Sequence, residues 1–486
     1  MKKVFHLLLL LAVVLVEACS DNDSFTTSSS NRLAFSVDTV MFDTVFSRVP
    51  SSTRTFWVFN HSGDGIRCSN VRLQQGNQTG FRVNVDGIYL GATEGYQSSD
   101  IEVRNKDSLR VFVELTSPLN NHDTPQLLED HLVFTLESGV EQKVNLRAFT
   151  WDAEDVGHLV VDRDTTICST RPILVSGGIE VAHGATLRLL GTTLYFHADA
   201  GIDVYGTLIC DADNGRETIL RGDRLDHMFD YLPYDRVSGQ WQGIVLHNTS
   251  FGNEIRHTHM HSGTNGIVCD SSATDRSKLI LEYSTIHNMQ GYGLLARNSL
   301  VTINTCEITN TLLDCLSVCG GNVSLSNSTL AQFYPFDSNR GAALRLTNLL
   351  EGFSDSCPLE QFMARNCIIT GYADDVFMGE PSDSLAFNYL FDHCLLRTPK
   401  VETDDSIFYA HVIYEDPKDT LTSAHKNFAN IDTDNLIYDF RLSKVSQAVN
   451  AADAAHSLPT DRYGYRRDEH PDMGCFELEE PLDQQP

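Results

Sequence analysis

The chain has 486 residues, with 36 Lys and Arg against 65 Asp and Glu, which gives a formal net charge of −29. This balance excludes nucleic-acid partners, because phosphate binding needs a basic field and no basic run offsets the acidity. The length allows two or three domains. An acidic surface is instead typical of a protein that is exposed to solvent, or of one that binds cations or neutral sugars.

The N-terminus is predicted to be an export signal. Two lysines precede an apolar run over residues 7–16, which is too short for a comfortable membrane span. The run ends in Val16-Glu-Ala-Cys19, which resembles the signal of bacterial lipoproteins. The resemblance implies a signal peptide over residues 1–18 and a lipid on Cys19, although Glu17 departs from the usual pattern. The alternative is an ordinary signal peptide with an incidental cysteine.

The residues after Cys19 indicate the cellular location of the protein. Ser20-Asp-Asn-Asp23 is similar to the acidic export tag that certain Gram-negative anaerobes place after the lipidated cysteine. The similarity implies an anchor in the outer membrane, with the protein exposed on the cell surface. Residues 19–32 are rich in Ser, Thr, Asp and Asn and are predicted to form a flexible tether.

Residues 33–152 are predicted to form a small all-β domain. Clusters of Gly, Asn and Asp separate seven strand-like runs, Phe35–Phe46, Thr55–Asn60, Val71–Leu73, Phe81–Val85, Leu109–Leu115, Leu132–Leu136 and Val144–Phe149. Seven short strands in roughly 120 residues are typical of an immunoglobulin-like β-sandwich. The first and fourth runs resemble an N-terminal domain that precedes β-helices in bacterial surface lipoproteins. No acid–base or metal cluster stands out, so the domain is interpreted as a spacer.

A repeated phrase dominates residues 158–415. Alternating apolar residues lead to Asn or a small polar residue, then Ser, Thr or Cys, and then an aliphatic residue. The clearest copies are Val301-Thr-Ile-Asn-Thr-Cys-Glu-Ile308, Val323-Ser-Leu-Ser-Asn-Ser-Thr-Leu330 and Met363-Ala-Arg-Asn-Cys-Ile-Ile369. A recurring phrase made of short alternating strands predicts a β-solenoid. With strands about 4.8 Å apart, roughly ten coils would make a rod about 50 Å long.

The repeat resembles the right-handed parallel β-helix superfamily that includes pectin lyases. The resemblance implies that Asn327 and Asn366 stand at a bend and form a ladder, with Thr305, Tyr283 and His257 as substitutes. It implies a small inward column of Ser284, Cys306, Ser328, Cys367 and Cys394. It also implies two aliphatic stacks, one of Ile286, Ile308, Leu330, Ile369 and Leu396, and one of Ile267, Leu294, Leu316, Leu344 and Phe377. Eleven cysteines remain beside Cys19, and we expect buried thiols rather than a disulfide framework.

Residues 416–486 differ from the repeat. Asp439-Phe-Arg-Leu442, Thr460-Asp-Arg-Tyr-Gly464 and Pro471-Asp-Met-Gly-Cys-Phe-Glu477 occur in order and resemble a C-terminal tail common on bacterial surface β-helix proteins. The end of a solenoid exposes strand edges and a cut core. The segment is therefore predicted to cap the solenoid.

The sequence offers three candidates for catalysis. Enzymes of this superfamily cut acidic polysaccharides, and the Gly-His-Gly motif of its hydrolases is missing from this sequence. Asp374 and Asp375 are adjacent carboxylates that could bind calcium or share a proton, although their position also suits a turn. Arg345 is predicted to point outward from a sheet, where it could act as a lyase base or contact a glycan.

A histidine group gives the best metal-like pattern. His259 and His261 alternate on one strand and so are expected to point outward, and His287 follows one coil later in register with His261. Three imidazoles brought close together could hold zinc. The alternative is a solvated polar face.

Aromatic residues gather in two insertions. The candidates for stacking on a sugar are Tyr231, Tyr234 and Trp241 in the first insertion and Tyr334 in the second. The alternative is that these rings pack the insertions over the solenoid, since Trp241-Gln-Gly-Ile resembles a strand start at which the indole is buried.

Two functions follow from these residues. The sequence favours a surface lipoprotein whose β-helix binds a glycan, or serves as an adhesive or structural rod, without catalysis. The alternative is a polysaccharide lyase or glycoside hydrolase that acts on an acidic polysaccharide. The partners expected are the outer membrane, through Cys19, and a polysaccharide or other surface glycan. No cofactor is established by the sequence, and calcium is a candidate beside the zinc considered for the histidines.

Overall fold

A computed structural model describes residues 24–211, 215–349, 357–382, 384–402, 408–419 and 421–478. Cys19, the signal peptide predicted over residues 1–18 and the start of the tether lie outside the described residues. Two compact units divide the chain, with the boundary between Asp152 and Ala153. Within the described ranges, no helix has the length and apolar character needed to cross a bilayer.

The first unit is built from eleven strands. They are β1 (Leu33–Phe35), β2 (Thr39–Phe46), β3 (Arg54–Asn60), β4 (Ile66–Leu73), β5 (Phe81–Val85), β6 (Ile88–Tyr89), β7 (Gln97–Ser98), β8 (Ile101–Val103), β9 (Ser108–Leu115), β10 (Gln126–Leu136) and β11 (Glu141–Trp151). One sheet has the order β1-β3-β9-β5-β6, and the other has the order β2-β11-β10-β4-β7, with β8 also paired to β4. Alternate residues of both sheets form a single buried core, so the unit is a β-sandwich.

The run predicted as one strand from Phe35 to Phe46 is two strands in the structure. Strand β1 pairs antiparallel with β3, whereas β2 pairs parallel with β11 in the opposite sheet. The chain therefore crosses between the sheets over residues 36–38. The two-sheet architecture agrees with the predicted sandwich, and its immunoglobulin type stays a prediction.

The second unit begins with thirty short strands. The first fifteen are β12 (Glu154–Asp155), β13 (Leu159–Val161), β14 (Thr165–Ile167), β15 (Ile173–Val175), β16 (Ile179–Val181), β17 (Thr186–Leu190), β18 (Thr193–Phe196), β19 (Ile202–Val204), β20 (Thr207–Asp211), β21 (Thr218–Gly222), β22 (His227–Phe229), β23 (Leu232–Pro233), β24 (Ile244–Leu246), β25 (Asn253–Arg256) and β26 (Thr258–His261). The next fifteen are β27 (Ile267–Cys269), β28 (Ser277–Glu282), β29 (Thr285–Met289), β30 (Leu294–Asn304), β31 (Glu307–Thr311), β32 (Leu316–Ser326), β33 (Thr329–Gln332), β34 (Leu344–Thr347), β35 (Leu359–Arg365), β36 (Ile368–Gly371), β37 (Phe377–Glu380), β38 (Phe387–Asp392), β39 (Leu395–Leu396), β40 (Tyr409–Ala410) and β41 (Ile413–Tyr414).

These strands form a parallel β-helix, as predicted. An 11-stranded sheet has the order β12-β15-β18-β21-β26-β29-β31-β33-β36-β39-β41, and a 17-stranded sheet takes up the remaining strands except the hairpin β22–β23. The ladders between successive coils are parallel. A right-handed turn is the expected hand for such connections. The predicted limits of 158 and 415 lie close to the first and last strands of the solenoid.

The inward columns predicted from the repeat are confirmed. His257, Tyr283, Thr305, Asn327 and Asn366 all have positive φ, between 44° and 54°, so they occupy one left-handed bend in successive coils. Both aliphatic stacks are in register from coil to coil. The small column that follows the bend is fully buried, and its cysteines Cys306, Cys367 and Cys394 are thiols. The bend therefore decides which side chains face the core.

The C-terminal segment packs along the side of the solenoid, and its predicted role as an end cap stays a prediction. Its hairpin comprises β42 (Phe428–Asp432) and β43 (Ile437–Leu442). Apolar residues of this segment pack on Ala331, Ile368 and Leu395, three outward positions of the 11-stranded sheet. We call residues 421–478 the C-terminal strap.

Bend residues hold the strap in place. Asn366 Nδ2 donates to Asp453 O and to Ser457 Oγ, both at 3.0 Å, and Asn366 Oδ1 accepts from Asp453 N at 2.8 Å. Asn327 makes weaker bonds to Ser457 and Leu458. These amides were expected to bond the coils above and below. They satisfy the backbone of the strap instead, so the bend also fixes the position of the strap.

Replacement of a stacked aliphatic residue tests how strongly the columns hold the solenoid. Ile308→Ala should lower the free energy of unfolding by about 2–5 kcal/mol, because it leaves a cavity in a fully buried stack. Leu313→Ala is the matched control, since Leu313 is 42% exposed and should change stability by no more than about 0.5 kcal/mol. Urea unfolding of both variants provides the measurement. Equal losses would contradict the assignment of the stack.

Candidate functional site

A cleft of about 550 Å³ lies between the outer face of the 11-stranded sheet and the strap. The sheet contributes four side chains that line it, His259, Thr285, His287 and Glu307. The strap contributes aromatic and charged side chains, namely Tyr438, Asp439, Phe440, Arg441, Arg462, Tyr463 and Phe476. A smaller cavity of about 160 Å³ shares His259, His287 and Tyr438 with the cleft and extends to His261 and Asp235. Both spaces therefore form one candidate site.

The three histidines reach this face for the reason that the sequence predicts. His259 and His261 alternate along β26, and His261 pairs in register with His287 on β29. His261 is buried and its Nδ1 lies 3.5 Å from Asp235 Oδ1, whereas the His287 ring faces Tyr438 of the strap at a centroid distance of 5.6 Å. The strap lies over this face of the sheet, so the histidines do not form the solvated polar face that was the alternative to a metal site.

A hydrogen-bonded chain joins Glu307 to His287. Thr309 Oγ1 donates to Glu307 Oε1 at 3.1 Å, and the same hydroxyl lies 2.8 Å from His287 Nδ1. Thr309 and Glu307 lie two residues apart on β31, so they face the same side of the sheet as His287 one coil earlier. If Thr309 donates to Glu307, the Nδ1 of His287 carries the proton. The neutral ring then keeps Nε2 as an acceptor.

Burial sets the charge of these groups. Loss of hydration raises the pKa of Glu307 to about 7, and it lowers the pKa of His287 to about 3. Burial, with His259 as a further cause, also lowers the pKa of His261 well below its ordinary value. The pKa of His259 is lowered by burial and by the charge of Arg462. At neutral pH the imidazoles are therefore uncharged, while Glu307 exchanges its proton readily.

Two charge pairs lie beside this group. The guanidinium of Arg462, a buried strap residue, lies 2.6 Å from Glu217 Oε1, and its Nε donates to Thr285 Oγ1 at 3.2 Å. Asp439 is paired with Arg441 at 2.6 Å. Arginines of the strap thus neutralise the carboxylates of Glu217 and Asp439, so these two pairs add little net charge to the site.

The histidines do not form a three-imidazole zinc site as they stand. Across the described ranges, the one set of three metal-type donor atoms that lie within 4.8 Å of one another is elsewhere, at Asp392, His393 and His411. His261 turns toward Asp235 and Ser262, and His287 turns toward Thr309. Neutral imidazoles suit metal binding, and the rings of His259 and His261 lie 5.0 Å apart between centroids, but the Nδ1 atoms of His261 and His287 face other partners.

Most of the predicted sugar-binding aromatics pack instead. Trp241 is fully buried, stacks on Phe196 at 4.6 Å and donates to His261 O at 2.9 Å. Tyr334 is also buried, with its hydroxyl 2.7 Å from Ser238 Oγ. These two rings cannot stack on a sugar, so packing, the alternative offered for them, is correct.

The two tyrosines of the first insertion are placed differently. Tyr231 is 79% exposed and stacks on Phe229, with the ring centroids 5.7 Å apart. The ring of Tyr234 lies 4.1 Å from the guanidinium carbon of Arg224. Neither residue lines the cleft. Their predicted role in ligand binding stays a prediction.

The predicted catalytic residues lie outside the cleft. Asp374 pairs with Arg397 at 3.1 Å, and Asp375 accepts from the backbone N–H of Phe377, as a turn residue does. Arg345 is held between Asp314 and Glu380, with 2.7 Å to each. Two carboxylates stabilise its cation, so it is poorly placed to serve as a lyase base.

Sequence reasoning missed the charged half of the site. Glu307 stands at an outward position one coil after His287 and two coils after His259, and that offset was a usable signal. Arg462 and Tyr463 are distant in the chain and reach the cleft only through the path of the strap. No spacing rule predicts such a contact.

Comparisons with known proteins find distant structural likenesses and no matching family. No protein-family model matches the chain, and no curated protein matches it. Among solved structures, pectate lyase Pel9A is 12% identical with a TM-score of 0.26, over 67% of this chain and 97% of that chain. The catalytic domain of a GH87 alpha-1,3-glucanase is 8% identical with a TM-score of 0.20, over 71% and 91%.

A third solved structure matches a smaller part. A family 123 glycoside hydrolase from Clostridium perfringens is 6% identical with a TM-score of 0.17, and the match spans 26% of each chain. At these identities and TM-scores the likenesses carry no argument about activity. The sheet topology by itself establishes the β-helix.

Glu307 and His287 should change stability with pH in opposite directions. The folded protein keeps the Glu307 proton between pH 4.5 and about 7, where the unfolded chain releases it, so this group makes stability fall as pH rises. The unfolded chain protonates His287 between pH 6.5 and about 3, where the folded protein does not, so that group makes stability fall as pH falls. Their effects oppose each other in the range where these windows overlap.

Two substitutions separate the effects. Glu307→Gln should gain up to about 3 kcal/mol of stability relative to the wild type between about pH 5 and about pH 8, at about 1.4 kcal/mol per pKa unit. His287→Gln is the matched control. Its free energy of unfolding should rise relative to that of the wild type as the pH falls from about 7 to about 5. Urea unfolding across this range measures both. Parallel curves for the wild type and Glu307→Gln would contradict a buried, protonated carboxyl.

Proposed function

We propose that the protein binds a glycan in the cleft between the 11-stranded sheet and the strap, with the β-helix as a rigid, non-catalytic support. The observation that carries the proposal is the composition of this cleft. Rings from the strap, such as Tyr438 and Tyr463, line one side, and polar side chains fixed on strands line the other. Aromatic faces suit the apolar faces of sugars, and fixed polar groups suit their hydroxyls.

The charges support a neutral glycan over a polyanion. The imidazoles are neutral, and Arg462 and Arg441 neutralise Glu217 and Asp439. The chain as a whole carries a net charge of −29, which repels polyanions at long range. A neutral or weakly charged polysaccharide is therefore the proposed ligand.

A second candidate is hydrolysis of the glycan in the same cleft. The observation that favours it is Glu307, whose burial raises its pKa to about 7, near the range that a general acid needs. Its carboxyl is oriented by Thr309. Glu217 and Asp439 would supply the second carboxylate of such a reaction.

The glycan proposal also includes a place for the protein on the cell. The sequence at Cys19 supports a lipid anchor in the outer membrane, with the cleft displayed outward. Cys19→Ala should move the protein from the membrane fraction to the soluble fraction, because it removes the lipidated residue. Fractionation followed by immunoblotting measures this change, with Cys168→Ala as the control. Membrane retention of Cys19→Ala would refute the anchor.

Binding is tested with the full chain on an array of neutral and acidic polysaccharides. The best-bound polysaccharide should then bind Tyr463→Ala about tenfold more weakly in calorimetry, because Tyr463 is a 60% exposed ring at the cleft. Tyr465→Ala is the matched control, since Tyr465 is a 49% exposed ring on the same strap that does not line the cleft. Equal affinities would refute the site, and an array without a bound glycan would refute the function.

The same polysaccharide decides between binding and hydrolysis. A binding protein leaves its length unchanged, as measured by reducing ends. Hydrolysis that is lost in Glu307→Gln, while affinity is retained, would replace the non-catalytic proposal with the second candidate. Hydrolysis that persists in Glu307→Gln would refute Glu307 as the acid.

A further inference from the structure

A second group of side chains converges at the last two coils of the solenoid. His393 and His411 occupy the bend in successive coils, with φ of 49° and 51°, and the backbone N–H of His393 donates to Ala410 O at 3.0 Å. Their rings stack at a centroid distance of 4.4 Å and an angle of 26°. The same bend holds Asn327 and Asn366 in earlier coils, so here imidazoles take the place of amides.

One carboxylate oxygen lies against both rings. Asp392 Oδ1 is 2.8 Å from His393 Nδ1 and 3.2 Å from His411 Nδ1. Asp392 ends strand β38, and its backbone pairs with Ala410, the residue before His411. Parallel pairing therefore brings three donor atoms from two coils to one point. All of them lie within 4.8 Å of one another.

We propose that Asp392, His393 and His411 bind a divalent transition-metal ion of the zinc type. Two imidazole nitrogens and one carboxylate oxygen are a donor set that zinc accepts. Tetrahedral zinc with bonds of about 2.0–2.1 Å sets its ligand atoms about 3.3 Å apart. The observed separations of 2.8 and 3.2 Å need only a small expansion to admit the ion.

The surroundings fit this assignment. The other carboxylate oxygen, Asp392 Oδ2, lies 3.6 Å from Nε of Arg365, a residue of the preceding coil that also borders the bend. A partner on the second oxygen orients a ligating carboxylate and leaves the first free for the ion. His411 is 70% exposed at its side chain, so solvent reaches the group. The fourth position of the ion is thus open to water or to a group on a ligand.

The site would join the last two coils. Its ligands come from β38, from the bend after it and from the bend after β40, so one ion links consecutive coils through side chains. It differs from the cleft, because none of its three residues lines either cavity there. The inference therefore does not depend on the proposed function.

Calorimetric titration of the chelator-stripped full chain with zinc chloride tests the site. We expect one ion per chain, with affinity reduced about tenfold or more in His411→Ala, since loss of even an outer partner of a metal ligand costs about that much. His411 is largely exposed, so this variant should keep its fold, and Asp392→Asn is the second variant. His183→Ala, which removes an exposed histidine elsewhere on the solenoid, should bind as the wild type does.

Cobalt(II) gives an independent readout, because its visible absorption depends on the ligand set. Bands of a nitrogen- and oxygen-ligated ion should develop in the wild type and in His183→Ala and be lost in His411→Ala. Unchanged zinc affinity in both His411→Ala and Asp392→Asn would overturn the proposal. Binding that is lost in His259→Ala but kept in His411→Ala would also overturn it and would move the metal to the cleft.

Discussion

The left-handed bend that recurs in successive coils from His257 to His411 is the constraint on which this part of the second unit depends. One residue in each of these coils takes a positive φ at this bend, and parallel pairing then repeats the same path in the next coil. The repetition places each following side chain on the same side in each coil. Inward columns, outward faces and the attachment of the strap all follow from that one conformation.

The strap converts an ordinary outward face into a chemical site. Without it, the side chains of His287 and Glu307 would be hydrated and would keep ordinary pKa values. Its rings remove water from one side of the sheet, and the cost of burying charge shifts the pKa of the acid upward and that of the base downward. The contacts that hold the strap on the sheet therefore also set the pKa values of the groups in the cleft.

The inward half of the solenoid could be predicted because it is periodic. Ile308 and Leu330 repeat at a fixed interval, and burial follows from periodicity alone. Contacts that break the period could not be predicted. The packing of the strap on the side of the sheet is one such contact, because its attachment depends on side-chain bonds such as those of Asn366, which no local pattern encodes. The burial of Trp241 was offered only as an alternative, because sequence cannot tell an exposed ring from a covered one.

The equivalence of the coils has a consequence for how such a protein changes over evolutionary time. A whole coil can be duplicated or deleted with little strain, because each coil ends in the backbone state in which the next begins. The cleft and the last two coils do not share this freedom, since their polar groups face one another across neighbouring coils. A coil inserted between β29 and β31 would move Thr309 out of reach of His287 while leaving the core intact. The number of coils can therefore vary freely only where polar side chains of adjacent coils do not contact one another.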